Sequence, residues 1–161
     1  MTRKERESFI EKIAPAAQAS QRAHGVPASV IVAQAILESG WGQHAPGNNF
    51  FGIKKGAANV PYVEAVNGSL DSEVRAKYRK FESLTASFEA HGKLLSTDER
   101  YSRAMSDADN SIVFATSLRK CGYSVDPHYD DKLVALMTGY KLMRFDSAAP
   151  KKAAAKGMVR A

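Results

Sequence analysis

One carboxylate carries the strongest chemical signal in the chain. Glu38 lies within Ala35-Ile-Leu-Glu-Ser-Gly-Trp-Gly42, where an apolar run ends just before the only tryptophan, Trp41. An acid at the end of a buried helix feels two effects of the same sign. Desolvation disfavours its charged form, and so does the negative end of the helix dipole. Both raise its pKa above the ~4.3 of a free glutamate. A glutamic acid that keeps its proton near neutral pH is what protonation of a leaving glycosidic oxygen requires. Taken alone, the position better suits a glutamate that points into solvent, because helix ends are usually wet. Trp41 beside it either anchors the following loop in the core or stacks on a sugar face.

A second carboxylate, Glu64, falls in Tyr62-Val-Glu-Ala-Val66, just before Asn67-Gly68. If it acts as a base with Glu38, a water must fit between them. That needs roughly 6.5–9.5 Å between carboxyls and predicts inversion at the sugar carbon. Asp71 and Glu73 lie close enough in sequence to face Glu64, so a solvated strand glutamate is the other reading. The four histidines, at 24, 44, 91 and 128, are scattered, with no HExxH or Cys/His cluster. No metal and no cofactor are implied. Cys121, the lone cysteine, reads as a small buried apolar side chain beside Gly122.

The elements that must position these residues are mostly helical. Phe9, Ile10, Ile13, Ala16 and Ala17 give one helical face over about 4–22, ended by Gly25. Pro27 opens a second helix to about Ser39, apolar nearly all round and therefore central, with Gly40 as its stop. Residues 41–61 read as an ordered loop. The Asn67-Gly68 turn signal and the alternation of Val74, Ala76 and Tyr78 with Arg75, Lys77 and Arg79 predict a hairpin. Helices resume near Ser83, with Phe88, Leu94 and Leu95 as one stripe, and a short segment follows at 98–105. Asn110 caps a further helix that Gly122 stops. Asp126-Pro127 starts the last one, with Tyr129, Leu133, Leu136, Met137 and Tyr140 facing inward. The fold class is α+β, mainly α, with one small hairpin.

Four ordered motifs now stand together: Glu38-Ser-Gly-Trp-Gly, Asn48-Asn-Phe-Phe-Gly-Ile-Lys54, Glu64 ahead of Asn-Gly, and Gly122-Tyr-Ser-Val-Asp-Pro-His-Tyr129. Over about Phe9 to Met143 the chain closely resembles glycoside hydrolase family 73, bacterial and phage β-N-acetylglucosaminidases that cut peptidoglycan. The resemblance implies a lysozyme-like helical domain with the hairpin beside the active-site cleft. It implies that Glu38 is the catalytic acid and that Asn49, Phe51 and Gly52 build the groove floor. Glu64 matches a hairpin acid proposed as the second carboxylate, and Tyr123 matches a tyrosine facing the cleft. Asp126 and Tyr129 belong to the same motif as Tyr123. Phe50, Ser124 and Val125 depart from the commoner Leu, Ala and Thr. The alternative to Glu64 as base is attack by the substrate's own N-acetyl group, oriented by Tyr123.

The 161 residues suffice for one core, and no apolar run reaches the ~20 residues of a membrane span. Residues 1–147 read as the catalytic domain and 148–161 as a basic Ala/Lys-rich tail without a packed core. The net charge is +6, and four of those charges are Lys151, Lys152, Lys156 and Arg160, leaving a nearly neutral body. The tail either contacts an anionic polymer or membrane surface or is a solubilising end with no partner. Arg75, Lys77 and Arg79 read as a solvated strand face, the sharper reading being contact with acidic stem peptides or anionic wall polymer. Neither charge nor motif suggests nucleic acid. No secretory signal is read at the start, so the expected setting is a phage endolysin. Such an enzyme is monomeric, made in the cytoplasm, and active on peptidoglycan glycan strands. Rival functions are a muramidase or lytic transglycosylase, and a wall-binding or assembly module that does not cut.

Overall fold

A computed structural model describes residues 1–55 and 78–147. Six helices make up most of it: α1 (Arg3–His24), α2 (Ala28–Ser39), α3 (Leu84–Thr97), α4 (Ser102–Met105), α5 (Ser111–Lys120) and α6 (Tyr129–Gly139). Short 3-10 turns lie at Pro46–Asn48, Glu99–Tyr101 and Leu142–Phe145. The last of these was not foreseen. It follows Lys141, held at φ 54°, and seats Leu142 in the core.

The expected mainly helical frame is present. α2 is its axis, with ten of its twelve residues buried. The other helices pack around it because a helix with no polar face cannot border water. The cap predicted at Asn110 and the stops predicted at Gly25 and Gly40 hold, and two further caps are present at Thr2 and Ser83. Thr2 and Glu5 form a reciprocal capping box at α1. Ser83 accepts from Ala86 N at 3.1 Å and Asn110 from Val113 N at 3.1 Å. Gly25 and Gly40 end α1 and α2 in the left-handed conformation.

α1 and α3 approach closely at Gly92. A Cβ there would collide with Ser20 Oγ, whose hydroxyl donates to Phe88 O at 2.8 Å. The helix pair therefore needs both a missing side chain and a satisfied hydroxyl at the crossing.

Three expectations need correction. The buried stripe of α3 is Phe88, His91 and Leu95, at i, i+3 and i+7, while Leu94 is only half-buried. α6 begins at Tyr129, two residues beyond the predicted proline start, because residues 126–128 form a turn ahead of it. Cys121 is half-buried, with Gly122 turning the chain beside it at φ 84°. The predicted hairpin, with Glu64, Arg75 and Lys77, lies outside the described residues, as does the tail. At the edge of that segment Lys54 pairs antiparallel with Tyr78, and Arg79 N donates to Ile53 O at 2.8 Å. Among the described residues no helix is long and apolar enough to cross a membrane.

Candidate active site

Glu38 sits on the last turn of α2, half-buried, with Oε2 withdrawn from solvent. The turn behind it is held tightly. Ser39 Oγ donates to Ala35 O at 2.5 Å and accepts from Gly42 N at 2.8 Å. Trp41 N reaches back to Ile36 O at 3.0 Å and His44 N to Ser39 O at 2.9 Å. Gly40, Trp41 and Gly42 take successive left-handed φ values of 56°, 60° and 81°, so the chain reverses within a few residues. Gly42 has no substitute here, since a Cβ would lie 2.5 Å from Phe9 Cε1.

The Trp41 ring meets Tyr140 edge-on at 5.2 Å and Phe9 at 6.2 Å, with the Arg6 guanidinium 5.0 Å from its centroid. These contacts tie the loop to α1 and to the end of α6. They are the contacts of a loop anchor, the first of the two readings offered for this residue.

Asn49 is buried and works as a backbone surrogate. Its Nδ2 donates to Ile53 O at 2.8 Å and to Arg79 O at 3.0 Å, while Oδ1 accepts from Ile53 N at 3.0 Å. One side chain thus closes the 49–53 loop and ties it to the chain returning at Arg79. Phe51, 1% exposed, lies beneath this loop against His91 and Phe88. Gly52 is half-buried, at φ 64°. The Asn49 and Phe51 side chains therefore support the loop from inside.

Tyr123 and Tyr129 form a stacked pair, with centroids 5.4 Å apart and planes at 27°. Both are buried, at 5% and 1% exposure. Asp126 holds the turn that carries them. Its Oδ1 accepts from His128 N at 2.9 Å and its Oδ2 from Lys132 Nζ at 2.6 Å. The Lys132 hydrogen bond first, and then the His128 one, hold its carboxyl below the usual range. Val125 at the tip of this loop is 98% exposed.

Two residues given no role by the sequence reading join these parts. Gln34, 0% exposed, lies one turn before Glu38 on the same face of α2. Its amide is 3.1 Å from Tyr129 Oη and 2.7 Å from His91 Nε2. His91 is fully buried, and burial pushes its pKa down to about 3, so the ring is neutral. The signals existed in the sequence. Gln34 is a polar residue inside an apolar helix, and His91 sits on the buried period of α3. The structure thus joins Tyr129, and through stacking Tyr123, to Gln34 of α2, and Phe51 to it through His91, while Asn49 closes the 49–53 loop. Trp41 turns instead to α1, and Asp126 serves the loop that carries the tyrosines.

The site is thus a helical frame built round one central helix, with a half-dry acid on the last turn of that helix. Residues 14–142 match the glucosaminidase family, described as mannosyl-glycoprotein endo-β-N-acetylglucosaminidase. The chain belongs to that family, glycoside hydrolase family 73, as the four motifs imply. It is 33% identical over 156 residues to the exo-glucosaminidase LytG of Bacillus subtilis, covering 91% of this chain and 55% of that protein. It is 33% identical over 150 residues to the peptidoglycan hydrolase FlgJ of Vibrio cholerae, covering 80% of this chain and 42% of that one. The chain spans about half the length of these curated relatives. Among solved structures, the catalytic domain of the autolysin Auto from Listeria monocytogenes superposes with a TM-score of 0.69 at 27% identity. That match covers 91% of this chain and 90% of that one. A truncated glycoside hydrolase domain of Salmonella typhimurium FlgJ gives 0.68 at 30% identity, covering 86% and 99%.

Proposed function

We propose that this chain is a peptidoglycan hydrolase that cuts the β-1,4 bond between N-acetylglucosamine and N-acetylmuramic acid, leaving glucosamine at the new reducing end. One observation carries the reading: Glu38 is held on the last turn of a buried helix with one carboxyl oxygen out of water. Partial desolvation favours the protonated form, which can deliver its proton to the leaving oxygen. Water completes the cleavage. Glu64 activates that water, or the substrate's acetamido group attacks first, oriented by Tyr123. The loop of Asn49, Phe51 and Gly52, with Asp126 and Tyr129, shapes the groove for the glycan strand.

Residues 1–147 are the catalytic unit in this reading, acting as a monomer without cofactor on the cell wall. The setting is that of an endolysin, with the 148–161 tail touching anionic wall or membrane surface. Nucleic acid has no part in it. The family description says endo whereas the B. subtilis relative is called an exo-glucosaminidase. Fragment lengths early in a digest separate the two, and we assign endo cleavage.

Glu38→Gln keeps the shape and removes the proton. A general acid contributes ~10²–10⁴-fold, so lysis of purified walls should fall at least 100-fold while the circular dichroism spectrum is unchanged. A folded Glu38→Gln protein that still clears walls at a tenth of the parent rate removes Glu38 from this role.

A further inference from the structure

Three buried side chains form one hydrogen-bonded chain: His91 Nε2 to Gln34 Oε1 at 2.7 Å, and Gln34 Nε2 to Tyr129 Oη at 3.1 Å. Such a chain has two possible polarities. In one, His91 carries its proton on Nε2 and donates to Gln34, and Gln34 donates to Tyr129. In the other the amide is turned over, His91 carries its proton on Nδ1, and Tyr129 donates to Gln34. His91 Nδ1 is buried and meets no hydrogen-bond partner. The second polarity therefore strands an N–H donor, whereas the first strands only a lone pair. Orphaned buried N–H groups are the rarer and costlier case, so the first polarity prevails. It leaves Tyr129 Oη accepting from Gln34, with its own proton directed elsewhere.

The chain is rigid at both ends. The His91 ring lies flat on Phe51, with centroids 4.0 Å apart and planes at 2°, and Tyr129 stacks on Tyr123. Its middle member, Gln34, precedes Glu38 by one helical turn, a spacing at which side chains are neighbours. We propose that His91 and Gln34 are positioning residues for hydrolysis: they fix the Tyr129 hydroxyl as a hydrogen-bond donor on the α2 face that ends in Glu38. A donor suits that place, because a carboxylate such as that of Glu38 accepts. The proposal rests on Glu38 being the acid, as argued above.

The test compares kcat and KM on purified peptidoglycan for His91→Phe, Gln34→Met and Tyr129→Phe, with melting temperatures alongside. Misplaced groups cost up to ~10²-fold in rate, so each variant should lose about tenfold or more in kcat with KM within about twofold. The Gln34→Met/Tyr129→Phe pair should be no slower than the worse single variant, because the two act as a unit. His91→Gln, which keeps an N–H donor of similar reach, should recover most of the loss. A purely structural role would lower the melting temperature and leave kcat of the folded protein unchanged. Should His91→Phe not fold, Tyr129→Phe decides, as it removes a single oxygen. Parent-level kcat in Tyr129→Phe overturns the proposal. Glu38→Gln is run in parallel: an active Glu38→Gln defeats the assignment of the acid, whereas an inactive one with a fully active Tyr129→Phe defeats only this chain.

Discussion

The imidazole of His91 lies parallel to the ring of Phe51, 4.0 Å between centroids and 2° between planes. Burial on this apolar surface holds the ring neutral, with a pKa of about 3 against 6.5 in the unfolded chain. Below pH 6.5 the unfolded chain takes up a proton that the native state refuses. Stability from this residue is therefore complete above about pH 6.5 and is lost as the pH falls toward 3, by a few kcal/mol, on the order of 1.4 per pH unit. Asp146 acts with the opposite sign. Burial raises its carboxyl pKa despite the Ser29 hydrogen bonds of 2.7 and 2.8 Å. Its contribution is present at low pH and fades as the pH rises through 3.8 and the folded value. Melting temperature measured from pH 7 to 4 should fall more steeply in the parent than in His91→Phe. Equal slopes would show that His91 does not set the acid response.

Glycines with no room for a side chain should be distinguishable from those with room. Gly42→Ala meets Phe9 at 2.5 Å and is strained at φ 81°, and Gly92→Ala meets Ser20. Nothing lies within 4 Å of a Cβ on Gly139. Chemical denaturation should show Gly42→Ala and Gly92→Ala destabilised by about 1–3 kcal/mol each, the usual range for overpacking. Gly139→Ala should match the parent or exceed it. Similar losses at all three positions would contradict the packing described.

Trp41 anchors the loop through Phe9, Tyr140 and Arg6. Trp41→Ala should therefore lower stability by about 2–4 kcal/mol, near the range for large-to-small changes at packed aromatics. Trp41→Phe should keep most of that stability and also KM. A large rise in KM for Trp41→Phe, with stability intact, would indicate that the ring meets sugar directly.

Much of this arrangement is legible in the sequence because local chemistry decides it. The runs around Ile13 and Val30 fix two helices by period, and Gly25, Gly40, Ser83 and Asn110 mark ends through caps that need no tertiary information. Glu38 is legible as an acid at the end of a buried helix. Long-range relations are not. Asn49 is in a readable motif, but its bond to Arg79 O spans 30 residues, and no local signal announces it. Gln34 meets His91 across 57 residues and Tyr129 across 95. A polar residue in an apolar helix says that a partner exists without saying which. The turn before α6 shifts its start because Asp126 bonds to His128 N, and the Asp-Pro pair alone does not reveal that choice.

The central claim concerns which glycosidic bond is cut, and the chemistry of the new ends reports it directly. Purified peptidoglycan digested by the parent protein is reduced with borohydride, and the fragments are weighed by mass spectrometry. N-acetylglucosaminitol at the reduced ends is the predicted result. N-acetylmuramitol ends would mean a muramidase, and 1,6-anhydromuramic ends a lytic transglycosylase. Either would contradict the account.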